Sequence, residues 1–144
     1  MNERPKGAPA GLFSLLHTAG TAQDHVESKL ETVGLSIAKL AALSVLHDAG
    51  DSMPLGQLAG RLSCVKSNIT QLVDRLEADG LVARKPDPRD RRSRLAVLTP
   101  AGRKACKEGT RIQQQTEREL FGALTRDEAH QLAALMEKLD SRNR

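Results

Sequence analysis

Between Ala83 and Pro100 the chain reads "ARKPDPRDRRSRLAVLTP", with Arg84, Lys85, Arg89, Arg91, Arg92 and Arg94 set against Asp87 and Asp90 alone. Like charges held this close repel, so such a cluster is tolerated where solvent screens it or an anionic partner neutralises it. The imbalance is local. From Arg84 to Lys107 there are nine Lys/Arg and two Asp, which leaves 13 basic and 16 acidic residues over the rest of a chain of net charge +4. A near-neutral protein with one cationic segment points to an anionic surface as partner, nucleic acid or membrane.

A second group of polar residues precedes it. In "KSNITQLVDRLEADG", Ile69, Leu72, Val73 and Leu76 fall at i, i+3, i+4, i+7 and form one apolar helical stripe. At 100° per residue Ser67, Gln71, Asp74 and Ala78 point away from that stripe, and Asn68, Thr70 and Arg75 flank them. The N-terminal half of this face is small and rich in hydrogen-bonding groups, as suits a helix entering the DNA major groove. The amides of Asn68 and Gln71 can pair bidentately with adenine, and Ser67 can reach base edges or a phosphate. Lys66 and Arg75 are placed as phosphate partners, which set register without reading sequence. Alone, the same face also reads as merely solvated. The basic segment that follows supplies a turn whose arginines can enter a narrow minor groove, where the negative potential is enhanced. Asp90, beside Arg91 and Arg92, suggests a carboxylate that orients one of these guanidinium forks.

The elements that must hold these groups are mostly helical. Residues 1–9 read as a polar, Pro-containing arm. Leu12, Leu15, Leu16, Ala19, Val26, Leu30 and Val33 mark one face of a long helix, bent near Gly20. Ser36 caps a second helix that Gly50 closes. A short helix over Leu55–Leu62, a turn at Ser63–Val65 and a helix from Lys66 to Asp79, stopped by Gly80, make a helix-turn-helix. "LVARK" and "RLAVLT" read as the two strands of a hairpin around Pro86–Asp90. Thr99-Pro100 opens a long helix running to about Leu124, and "TRDE" at 125–128 opens the last one with a capping box. That helix's apolar face is Leu132, Leu135, Met136 and Leu139. The fold class is mainly α with a small β-hairpin: an arm (1–9), an N-terminal helix (10–34), a winged helix-turn-helix lobe (35–100) and C-terminal helices (101–144).

The run "SNITQLVDRLEADGLVARKPDPRDRRSRLAVLTPAGR" closely resembles the MarR family of bacterial winged-helix transcription regulators. The matching features are the polar helix ending "LVDRLEADGLV", the "DPRDRR" wing and the "LTPAG" helix start; "GLSIAKLAALSVL" is similar more loosely. The resemblance covers Leu35 to Arg103. It implies that Ser67, Asn68 and Gln71 contact bases, that Arg91 and Arg92, with Arg94 nearby, serve the wing, and that Asp90 holds the tip arginines. It also implies a homodimer through the first, fifth and sixth helices, for which the apolar faces of residues 12–33 and 112–139 are suited. A two-fold dimer reads palindromic double-stranded DNA with half-sites about 10 base pairs apart. Many members release DNA on binding a small aromatic or phenolic ligand, and here Phe13, His17 and His47 are the candidate contacts.

The function expected from the sequence is a sequence-specific regulator, a repressor acting as a homodimer. The alternatives are a non-specific architectural DNA-binding protein and a redox-sensing regulator using Cys64. Cys64 lies before the polar helix, where the helix N-terminus and Lys66 can lower its thiol pKa; packing inside the turn is the competing reading. Cys64 and Cys106 form no zinc spacing, and the histidines are scattered, so neither a metal nor a cofactor is expected. Phe13 and Phe121 are the only aromatics, which counts against single-strand stacking platforms. No phosphate-binding glycine loop, GxSxG or HExxH is present, so no enzyme is expected. No apolar run approaches the roughly 20 residues of a membrane span, and a cytoplasmic, nucleoid-associated protein is expected.

Overall fold

The computed structural model describes residues 11–62 and 68–142. Its elements in order are α1 (Leu12–Glu31), α2 (Ile37–Asp48), β1 (Ser52–Pro54), α3 (Leu55–Arg61), α4 (Ile69–Ala78), β2 (Val82–Asp87), β3 (Asp90–Leu98), α5 (Pro100–Phe121) and α6 (Arg126–Arg142). The protein is mainly helical, with one small antiparallel sheet. The expected arm, the turn at Ser63–Val65, and Lys66 and Ser67 lie outside the described residues.

Local chemistry sets most boundaries. The Ser36 hydroxyl accepts the Lys39 amide at 3.1 Å, and the Thr99 hydroxyl accepts that of Gly102 at 3.0 Å, with Pro100 in the first helical position. Thr125 and Glu128 cap each other reciprocally, at 2.9 and 3.1 Å. Gly80, at φ 74°, ends α4: its own amide donates to Glu77 O and that of Leu81 to Leu76 O. This double closure needs a left-handed residue, which glycine adopts without a Cβ penalty. The helix α1 runs unbroken through Gly20, so no interruption marks the expected bend.

Two expectations are corrected. The sheet has three strands, not two, in the order β1-β3-β2. β1 pairs with β3 through Ser52↔Val97, Met53↔Ala96 and Pro54↔Leu95, and it buries Met53. A three-residue strand containing proline has no periodicity of its own; its partner lies more than forty residues away in sequence and alone defines it. The hairpin strands are also longer than expected, closing the tip to Pro88 and Arg89.

Aliphatic residues make the core. Leu30, Leu43, Leu46, Leu58 and Leu76 are fully buried, with Val73, Val82, Ala96, Leu98 and Cys106 around them. Each such leucine contributes about 1.5–3 kcal/mol by leaving water. The stripe expected on α4 faces this core: Leu72, Val73 and Leu76 are buried, and Ile69 packs partly against them. Lys39 Nζ to Asp79 Oδ2 at 2.8 Å ties α2 to the end of α4.

Glycines bring α5 close. A Cβ on Gly102 would run into the carbonyl oxygen of Leu81 and come within 2.8 Å of Leu98 Cδ1. One on Gly109 would meet Leu40 Cδ1 at 2.7 Å and Leu35 Cδ1 at 2.8 Å. The base of the hairpin and α2 therefore rest almost directly on the α5 backbone.

Candidate nucleic-acid interface

The face of α4 opposite the core carries Thr70, Gln71, Asp74 and Arg75, all exposed. Its first residue differs from expectation. The helix starts at Ile69, and Asn68 is its N-cap in extended conformation, with Oδ1 accepting the amides of Thr70 at 3.0 Å and Gln71 at 3.5 Å. Bidentate recognition of adenine needs a donor and a free acceptor together. The acceptor of Asn68 is spent on the helix, so only its Nδ2 faces outward chemistry. Gln71 keeps its whole side-chain amide, so of the two it has the chemistry that bidentate pairing with adenine needs.

Asx turns shape the hairpin tip. Asp87 Oδ1 accepts the backbone N–H of Arg89 at 2.9 Å, and Asp90 Oδ1 accepts that of Arg92 at 2.9 Å. The expected role of Asp90 is corrected accordingly: it holds the main chain of Arg92, not a guanidinium fork. A short acidic side chain two residues upstream of an amide finds that amide before a longer, hydrated arginine head. The pairing register shifts between Pro86 and Asp87, from Pro86↔Arg94 to Asp87↔Asp90, so Arg91, Arg92 and Ser93 of β3 have no cross-strand partner on β2. Arg89, Arg91, Arg92 and Arg94 are all exposed there, and among the described residues none has a carboxylate within ion-pair distance. Exposed cations without internal partners are available to an external anion.

Arg84 differs from its neighbours. Its Nη2 bonds Asp74 Oδ1 at 2.6 Å, its Nη1 approaches Glu77 Oε1 at 3.4 Å, and its backbone amide donates to Glu77 Oε2 at 3.1 Å. The Asp74 hydrogen bond, helped by the charges of Asp74 and Glu77, holds the guanidinium still more firmly protonated than usual. Sequence reading missed this link, although basic Arg84 and the two acids one turn apart on a helix were all visible.

The proposed ligand contacts are not brought together. His47 lies on a cleft of about 1120 Å³ between α2 and α5, with Ser44, Arg103, Cys106 and Arg111. His17 lines a separate cavity of about 340 Å³ between α1 and α5, with Thr116 and Leu120. Phe13, 84% exposed on the first turn of α1, borders neither. Asp51 organises the rim of the larger cleft from a left-handed conformation at φ 76°. Its carboxylate accepts Arg103 Nη1 at 2.8 Å and lies 3.6 Å from His47 Nδ1. Cys64 lies outside the described residues. Among those described, no group of three or more His, Cys, Asp or Glu could hold a metal ion, and no helix is long and apolar enough to cross a membrane.

Two successive helices, α3 and α4, followed by a basic antiparallel hairpin are the arrangement of winged-helix DNA-binding regulators. The MarR family sequence profile matches residues 35–93. The multiple antibiotic resistance protein MarR of Salmonella typhimurium is 32% identical over 111 residues, covering 76% of each chain. The transcriptional activatory protein BadR of Rhodopseudomonas palustris is 39% identical over 92 residues, 62% of this chain, which spans about half (49%) of BadR. Among solved structures, a MarR mutant from E. coli complexed with operator DNA superposes with TM-score 0.76 at 25% identity, covering 90% of this chain and 99% of that one. The Bordetella bronchiseptica protein BpsR, whose DNA binding is regulated by 6-hydroxynicotinic acid, gives TM-score 0.69 at 25% identity, covering 88% and 98%. This chain belongs to the MarR family and is a DNA-binding transcriptional regulator.

Proposed function

We propose that the protein reads a palindromic duplex operator as a homodimer and regulates transcription there, as a repressor where its site overlaps a promoter. The observation that carries the reading is a wing tip whose arginines have no acidic partner among the described residues, together with the polar face of α4. The first supplies phosphate and minor-groove grip, and the second supplies base-edge contacts. Gln71, Thr70 and Asn68 Nδ2 read bases; Arg75, Arg91, Arg92 and Arg94 grip the backbone or minor groove. Lys66 and Ser67 complete the set. The operator-bound E. coli MarR supports this assignment.

The dimer is supported by apolar surface that one chain leaves bare. Leu12, Phe13, Leu15 and Leu16 on α1, Leu120 on α5, and Leu132, Leu135, Met136 and Leu139 on α6 are exposed, and α6 buries no residue. Several large apolar residues exposed on the same helices mark protein contacts. A small organic ligand in the α2–α5 cleft would bias DNA release, a reading supported by BpsR.

Selection of bound sequences from a random duplex library, at one fixed salt concentration, tests the function. An inverted repeat with half-site centres about 10 base pairs apart is the expected product. Retention of DNA with no enriched motif would instead make the protein an architectural binder. On the selected duplex, Gln71→Ala should weaken binding by roughly 1–3 kcal/mol, with a smaller loss on a scrambled duplex. Equal losses on both would return Gln71 to a solvated surface residue.

A further inference from the structure

The basic segment looks uniform in sequence, yet its cations divide sharply in space. Those at the tip have no acidic partner among the described residues, whereas Arg84, at the base of β2, is 25% exposed and sits between two carboxylates of α4. Both carboxylates stand one turn apart on the flank of the helix that faces β2. The contact is also anchored through the main chain. β2 is an edge strand in the order β1-β3-β2, and the Arg84 amide points away from β3 to be capped by Glu77 Oε2.

We infer that Arg84 is a positioning residue: a strut between Asp74 and Glu77 that fixes the angle between the base-reading helix and the wing, and that adds no cation to the DNA grip. The inference rests on the DNA-reading function proposed above and assigns Arg84 a task within it. Three geometric facts support it. The guanidinium fork spans two acceptors on one element, which lysine's single ammonium cannot reproduce. The link joins two elements separated only by the turn at Gly80, so it bears directly on the angle between them. Finally, Asp74 lies on the outward face of α4, where an uncompensated carboxylate would repel phosphates; Arg84 neutralises it in place.

The strut predicts a split between specificity and charge. Arg84→Met keeps the aliphatic stem and removes the fork. On the duplex recovered by selection it should lower affinity about ten-fold more than on a scrambled duplex, because only a correctly angled helix reaches base edges while the wing grips. Its salt slope on the scrambled duplex should match the wild type. Arg84→Lys should recover part of the ratio. Asp74→Asn should also lower the ratio, and it should steepen the slope toward about one additional phosphate contact as Arg84 is released. A slope shallower by about one unit for Arg84→Met, with the specificity ratio unchanged, would make Arg84 an ordinary phosphate contact and overturn the strut.

Amide hydrogen exchange in the free protein reads the strut independently of any DNA. Arg84→Met should speed exchange at the end of α4 and along β2 about ten-fold, with the core amides of Leu43 and Leu46 unchanged. Unaltered exchange there would overturn the strut whatever the protein does with DNA. Failure of the wild type to bind either duplex, with exchange altered as expected, would overturn the DNA reading and leave the strut standing as a structural device.

Discussion

Replacing Arg91 and Arg92 together with alanine should reduce affinity for any duplex by roughly 60-fold at 0.1 M salt. The figure follows from counterion release. Each guanidinium neutralising a phosphate contributes about 0.9 to the slope of log affinity against log salt, so two contribute about 1.8. Titration of the double variant and the wild type between 50 and 200 mM salt checks both numbers. The structure makes the test clean. Both side chains are exposed on the tip, and neither pairs with a carboxylate among the described residues. Their removal therefore leaves no buried charge behind, and thermal stability should change little. The main-chain bond from Arg92 to Asp90 survives the substitution, so the tip keeps its shape. Unchanged affinity and slope would remove the wing from the binding surface.

The largest effect on stability is expected far from any DNA contact. Gly102→Val should cost about 3 kcal/mol, at the upper end for forcing atoms into a packed site. Here the obstruction is a backbone carbonyl, that of Leu81, with Leu98 Cδ1 closing the other side. A leucine side chain can turn aside, but the Leu81 carbonyl accepts the Thr99 amide at 3.1 Å and cannot leave without losing that bond. Chemical denaturation of both proteins, compared by midpoint at equal slope, measures the loss. Gly20→Ala is the natural control, because nothing lies within 4 Å of a Cβ there and alanine favours a helix interior. A Gly102→Val protein as stable as the wild type would show that α5 can shift off the hairpin base without cost. The same close approach explains the glycine of "LTPAG": it is the seat on which the two ends of the hairpin base, Leu81 and Leu98, rest.

Much of this architecture was legible in the sequence because the interactions that set it are short-range. The caps at Ser36, Thr99 and Thr125 each bond an amide three residues on, so residue type and position suffice to place them. Gly80 and the α4 stripe were readable for the same reason: a φ above zero and a 3.6-residue period are local properties. The basic tip was legible as charge alone.

The remainder needed the tertiary structure, because it rests on choices between partners that are distant or compete. β1 exists only because β3 lies beside it. Asn68 offers one amide to two tasks, and helix capping takes its oxygen. Asp90 could have held a guanidinium, but the nearer main-chain amide of Arg92 takes it. Phe13, His17 and His47 could share a pocket on paper, yet α1 and α2 flank α5 differently and send the two histidines to separate cavities. Arg84 is indistinguishable from Arg89 or Arg91 by type and charge. Only the packing of α4 against β2 gives it two carboxylates, while the tip arginines have none among the described residues. By itself, then, the sequence determined the capped helix starts at Ser36, Thr99 and Thr125, the stop at Gly80, the buried stripe and the sign of the surface, all consequences of neighbours within a turn or two. Tertiary structure decided which of several chemically equal groups is used where, because that depends on distances no local rule contains.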